Sequence, residues 1–170
     1  VGIIDLTRGE LGTRGTPETR QREAFNAAIA LKVAVRENLE IPDGDIRHSK
    51  ENLMKVIIEI RKFKPKIVFA PYFNDRHPDH IDASHLVKRA MFSTGLSKIK
   101  TFDKEVPQNH YRPEKLYYYM QTYMFDPTFI VDISETMEQK MKSVQCYSTQ
   151  FHDPKSKEPE TFISSPEFFN

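Results

Sequence analysis

A chain of 170 residues has room for one domain of ordinary size, and 38% hydrophobic with 29% charged residues excludes a disordered, collagenous or coiled-coil protein. Lys and Arg number 25 against 24 Asp and Glu, so the net charge is +1 and the basic surplus of a nucleic-acid binder is missing. No apolar run approaches the ~20 residues that span a bilayer. The single cysteine, Cys146, cannot form an internal disulfide, which makes a cytoplasmic setting the expectation.

The chain opens on an apolar run, Val1 to Leu6, with no Met and no polar lead-in. Such a start reads as an entry into the middle of a domain, and the abrupt end at Asn170 reads the same way, so a partial chain is expected. A Gly-rich loop, Thr7 to Thr16, leads to Pro17 at a first helical position with Thr16 as its cap. Ala24, Ala27, Ala28 and Leu31 then repeat one helix face. Val35 to Leu39 reads as a short strand. Ser49 caps the next helix, whose face is Leu53, Val56, Ile57 and Ile60, and Pro65 stops it.

Lys66 to Ala70 is a continuous apolar run, the pattern of a parallel strand buried on both faces. The polar loop Pro71 to Asp79 precedes a helix from about His80 to Ser93. Lys98 to Pro113 reads as a long polar connection, Leu116 to Met120 and Thr128 to Asp132 as strands, and Ser134 as the cap of a last helix with Met137, Met141 and Val144 as core. His152 to Pro166 reads as loop. Alternating strands and helices predict a three-layer, Rossmann-like α/β fold with a mainly parallel sheet, incomplete at both termini, in a single domain over 1–170. Such sheets bind ligands beyond the carboxyl ends of their strands.

Two loops sit at those ends. Asn74-Asp75-Arg76-His77-Pro78-Asp79-His80 packs two imidazoles and two carboxylates together. Neutral imidazole ligates zinc, and a neighbouring carboxylate orients the ring. Because Pro78 breaks the regular backbone, His77 and His80 need not share a face as i, i+3 residues of a helix would, so one can ligate while the other acts on substrate. The plainer alternative is a polar helix start with Asp79 favourable to the dipole and His80 solvated. One histidine cannot hold a catalytic zinc, which takes three protein ligands. His48, His110 and His152 lie in loops without an acidic partner in ligand spacing, and His85 falls on another side of the helix. Arg8, Arg14 and Arg20, among Gly9, Gly12 and Gly15 of the other loop, suit hydroxyls or carboxylates of a substrate. Solvated charges on a flexible loop explain them equally well. Cys146, with no base or cation cluster around it, reads as buried and inert.

VGIIDLTRGELGTRGTPETR, KPKIVFAPYFNDRHPDH and PTFIVDIS together resemble the LmbE-like (PIG-L) family of zinc-dependent N-acetylglucosamine deacetylases. The likeness is greatest to its bacillithiol-biosynthesis branch, which acts on N-acetylglucosaminyl malate. The resemblance implies that His80 ligates Zn2+, that His77 faces the substrate carbonyl with Asp79 as its carboxylate partner, and that Arg20 binds substrate, helped by Arg8 or Arg14. It implies hydrolysis of an acetamide, with His77 stabilising the oxyanion and acetate leaving. The family's Ala-His-Pro-Asp-Asp-x-Glu motif, source of the other ligands and the general base, has no equivalent in the sequence and is expected upstream of Val1; a further active-site aromatic is expected beyond Asn170. The partner is then a small N-acetylglucosaminide, with no nucleic acid or membrane, and a homo-oligomer stays open. Two alternatives stand beside this reading: an inactive truncated remnant, and a non-catalytic α/β module binding sugar or carboxylate.

Overall fold

In the computed structural model, which describes residues 1–168, Thr16 opens the first helix with a reciprocal cap. Its hydroxyl accepts from the Thr19 amide while the Thr19 hydroxyl accepts from the Thr16 amide. Pro17 takes the first helical position, where a missing N–H costs nothing. Helix α1 (Pro17–Leu31) ends on Lys32 in the left-handed region and returns the chain to strand β2 (Val35–Asn38). That strand pairs in parallel with β1 (Gly2–Asp5), Gly2 opposite Val35 and Asp5 opposite Asn38. Arg36 locks the pair: its guanidinium forks onto both oxygens of Asp5 at 2.7 and 2.9 Å and reaches the Ala24 carbonyl at 3.0 Å. Helix α4 (Met137–Gln145) packs on α1, with Gln139 donating to the Ala30 carbonyl at 2.9 Å. These elements form one compact unit, built from residues 1–43 and 128–168.

Residues 44–127 form a second unit. Ser49 caps α2 (Lys50–Phe63) by accepting from the Asn52 amide, and the face expected from the spacing is inside: Val56, Ile57 and Ile60 are buried. They meet Ala83, Leu86 and Ala90 of α3 (Pro78–Ser93), a core small enough that each apolar side chain matters. Arg61, 2% exposed, closes this core. Its guanidinium donates to the carbonyls of Thr94, Leu96 and Ile99 and to the Thr101 hydroxyl, all at the C-terminal end of α3 or just past it. Burial lowers its pKa; the carbonyls at the negative end of the helix dipole accept its charge without a carboxylate. Strand β3 (Ile67–Pro71) runs parallel to β6 (Lys115–Tyr119), Phe69 opposite Tyr117.

Alternating strands and helices with parallel pairing give the expected α/β class. Several local expectations need correction. Strand β3 is not buried on both faces: Ile67 is 46% and Phe69 63% exposed, while Ala70 is sealed, so period-two alternation survives inside an all-apolar run. Thr128 to Asp132 is irregular chain rather than strand, and Ile130 and Val131 stay exposed. β-branched residues made it look like a strand, but no partner strand pairs with it among the described residues. The connection after Lys98 holds a two-residue hairpin, β4 (Phe102–Asp103) with β5 (Val106–Pro107). Ser134 turns in a short 3-10 segment, Ser134–Thr136, and bonds Asp132 instead of capping α4. A second such turn, Phe162–Ser164, lies in the stretch read as loop. Cys146 is half-buried, not sealed, its thiol donating to the Lys142 carbonyl at 3.3 Å. No described helix is long and apolar enough to cross a membrane.

Candidate active site

Strand β3 delivers its chain to a loop whose polar groups close around Asp75. That carboxylate is 5% exposed and accepts three hydrogen bonds: from the His77 amide at 2.9 Å, the His80 ring Nδ1 at 2.8 Å and the Thr122 amide at 3.1 Å. Burial pushes its pKa up. The amide of His77, the His80 ring and the Thr122 amide outweigh burial and hold it down at about 2. An ionised carboxylate only accepts, so the His80 Nδ1 carries a proton, and in the neutral ring Nε2 is the nitrogen with the lone pair.

The neighbouring histidine has the opposite arrangement. His77 is the N-cap of α3, Pro78 its first residue, and the Asp79 amide donates to the His77 Nδ1 at 3.2 Å. A capping acceptor on Nδ1 leaves the proton of the neutral ring on Nε2. The two rings lie stacked, centroids 4.8 Å apart and 24° from parallel. Pro78 left open whether the two would share a face; at the first helical position a proline continues the helix, and His77 and His80 lie one turn apart with their rings together. The pair therefore offers one N–H donor and one lone pair side by side.

Asp79 is buried, and its carboxylate accepts from the Gly44 amide at 2.7 Å; it meets His77 through its backbone N–H. The carboxylate bonded to a ring of this pair is Asp75, to which the sequence reading gave no role. Its signal was an acid two residues before the N-cap, close enough to accept from that residue's amide and reach the ring one turn on. His48 also has an acidic partner that spacing cannot show. Its Nε2 lies 3.1 Å from the Asp82 carbonyl and 3.5 Å from its Oδ1, with the His85 ring 5.7 Å away.

In the other unit the three arginines go to three places. Asp43 orders the loop, accepting from the Thr7 hydroxyl and the Leu11 amide, while the Glu10 carboxylate accepts from the Asp43 amide. Arg20 lies against the backbone of Gly9 and Gly12, where an added Cβ would stand 3.4 and 3.2 Å from its guanidinium nitrogens. Arg8 is exposed. Arg14 is buried, 3.8 Å from Glu158. Among the described residues no three His, Cys, Asp or Glu side chains converge to hold a metal ion; His80 presents a single imidazole.

Parallel strands joined by helices, with imidazoles gathered just beyond a strand's carboxyl end, place the chain among α/β proteins that carry their chemistry at that edge. It belongs to the PIG-L family: the family model, described as GlcNAc-PI de-N-acetylase, matches residues 1–91. The chain is 28% identical over 155 residues to the diacetylchitobiose deacetylase of Thermococcus kodakarensis, covering 88% of this chain and 56% of that protein. It is 26% identical over 149 residues to the 4-oxalmesaconate hydratase of Pseudomonas putida, covering 85% and 56%. The chain thus spans little more than half the length of these curated relatives. Among solved structures, the conserved protein TT1542 from Thermus thermophilus superposes with a TM-score of 0.80 at 39% identity, covering 88% of this chain and 66% of that one. The N,N'-diacetylchitobiose deacetylase of Pyrococcus horikoshii, complexed with its inhibitor MPG, gives 0.77 at 27%, covering 90% and 60%.

Proposed function

We propose that this chain carries the histidine pair of a metal-dependent deacetylase acting on N-acetylglucosamine-type substrates. The observation that supports it is the stacked His77–His80 pair at the start of α3, one ring held at Nδ1 by a backbone N–H and the other at Nδ1 by a buried carboxylate. Family membership and similarity to a diacetylchitobiose deacetylase supply the substrate class. His80, with its Nδ1–H held by the buried Asp75 carboxylate, has the backing that metal-ligating imidazoles carry. It fits zinc as one ligand; among the described residues no group of three or more candidate donors gathers to hold the ion. When bound, the ion supplies a Lewis acid that polarises the acetamide carbonyl and brings the pKa of water to ~7.

The residues of this chain then have separate tasks. His77, fixed by its capping bond, directs Nε2–H at the carbonyl oxygen and stabilises the charge that grows there, a donor worth ~3 kcal/mol of barrier. Asp75 positions His80. Asp79 holds the start of α3 through Gly44, and its amide sets the His77 tautomer. Arg20 grips hydroxyls or a carboxylate of the substrate, with Arg8 as an exposed second cation. The finer reading is a malyl conjugate of N-acetylglucosamine, as in the bacillithiol branch, with acetate and a free amine as products.

The test is acetate release by the full-length protein from diacetylchitobiose and from N-acetylglucosaminyl malate, with zinc measured by elemental analysis. Stoichiometric zinc lost in His80→Ala, with acetate from either substrate, is the expected result. Zinc that persists in His80→Ala would overturn the ligand assignment. Silence on both acetamides, with turnover of 4-oxalmesaconate, would move the chain to the hydratase side of its relatives.

A further inference from the structure

Beside the Gly-rich loop lies a cavity of about 490 Å³, walled by Arg14, Gln145 and several residues between Ser148 and Glu158. We propose that it is an oxyanion site, taking a carboxylate or phosphate group, with Glu158 of the protein occupying it when no ligand does. This inference does not depend on the deacetylase reading.

Arg14 carries the argument. Only 4% exposed, it is anchored through its carbonyl, which accepts from the Gln150 side chain at 2.8 Å. Its buried Nε has no hydrogen-bond partner among the described residues. The nearest carboxylate oxygen, Glu158 Oε2, is 3.8 Å away, too far for a hydrogen bond to Nε. Folded proteins leave few buried guanidinium donors unmet, because desolvation is not repaid without an acceptor. The other oxygen of Glu158 accepts from the Gly15 amide at 2.9 Å. Glu158 thus leans on two donors, one well made and one not, from a side chain that is 45% exposed at the rim. A ligand oxyanion with two oxygens in a plane matches the same two donors, and a guanidinium prefers such a partner.

The rest of the wall supports this assignment. Ser148 and Thr149 hydroxyls are committed to the buried Glu23 carboxylate, and Asp153 accepts from the Lys155 amide within its own turn. Among the described charged groups facing the cavity, Arg14 alone has an unmet buried atom, while the acids Glu158 and Asp153 are bonded and His152 is the fourth ionisable group. Gly15 has φ +75°, and a Cβ there would stand 2.8 Å from the Thr149 hydroxyl, so glycine is what lets this amide reach the Glu158 carboxylate at the rim.

The experiment is titration of the protein with inorganic phosphate and, separately, with acetate, followed by calorimetry and by the Gly15 amide resonance. Saturable one-to-one binding of either anion is expected. Removing the internal competitor in Glu158→Gln should tighten it roughly tenfold, and Arg14→Gln should abolish it. The phosphate and acetate arms separate the two ligand sources. Affinity indifferent to Glu158→Gln, or no saturable binding by wild type and Glu158→Gln alike, overturns the proposal. Should Arg14→Gln fail to fold, the Glu158→Gln arm and the Gly15 resonance decide alone.

Discussion

Replacing Asp75 by Asn tests the site at its anchor. The carboxylate accepts from the His77 amide and the His80 ring on Oδ1 and from the Thr122 amide on Oδ2. An asparagine can turn its oxygen toward only one of these sides, so its NH2 faces a donor whichever way it lies. The Asp75 carboxyl sits at about 2 against an ordinary 3.8. At ~1.4 kcal/mol for each tenfold change in acidity, that is roughly 2 to 3 kcal/mol of folding free energy at neutral pH. The sign follows from the lowered value: the stabilisation is present above the ordinary carboxylate pKa and lost as pH falls through about 2. Asp75→Asn should therefore lose about 2 kcal/mol in urea unfolding at pH 7, and zinc affinity of the full-length protein should drop ~10- to 100-fold as His80 loses its partner. A variant within ~0.5 kcal/mol of wild type that binds zinc unchanged would refute the anchoring role.

His77→Asn keeps a good helix cap but removes the ring N–H, so stability should hold within ~0.5 kcal/mol while turnover falls ~100-fold or more; an equal loss of both would refute the division. Gly12→Ala puts a methyl 3.0 Å from the Gly9 carbonyl and 3.2 Å from Arg20, so KM should rise with little change in kcat; an unchanged KM, alongside a raised one in Arg20→Ala, counts against loop positioning of that arginine. Arg61→Met strips four acceptors of a buried cation and should cost ~3 kcal/mol or more in chemical unfolding, whereas a loss under ~1 kcal/mol would show that water or a shifted loop satisfies them.

What the sequence disclosed was local. Thr16, Pro17 and Ser49 act through atoms within three residues of themselves, so their caps stand where the pattern puts them. The inward face of α2 was equally legible, because helical spacing alone selects Val56, Ile57 and Ile60. Thr128 to Asp132 misled because strand formation needs a partner as well as β-branched residues, and composition says nothing of partners. Arg61 lay hidden among ordinary helix charges, since its acceptors are 33 to 40 residues away. The arginines of the Gly-rich loop looked equivalent for the same reason. Only the fold shows that Arg20 lies along glycine backbone while Arg14 turns into a cavity near Glu158.

His-Pro-Asp-His gains its meaning from the helix start it occupies. The first amides of a helix need acceptors from outside, and an N-cap side chain ordinarily supplies an oxygen. Here an imidazole nitrogen does so, taking the Asp79 N–H, and the proline between them has no N–H to compete. One bond therefore caps α3 and fixes which nitrogen of His77 is protonated. One turn on, Asp75 fixes the other ring in the opposite sense. A serine cap would hold the helix as well, but it would leave a hydroxyl free to rotate where the imidazole presents a fixed donor. The requirement that a helix satisfy its own first turn is thus what orients the oxyanion donor of the proposed reaction beside its candidate metal ligand.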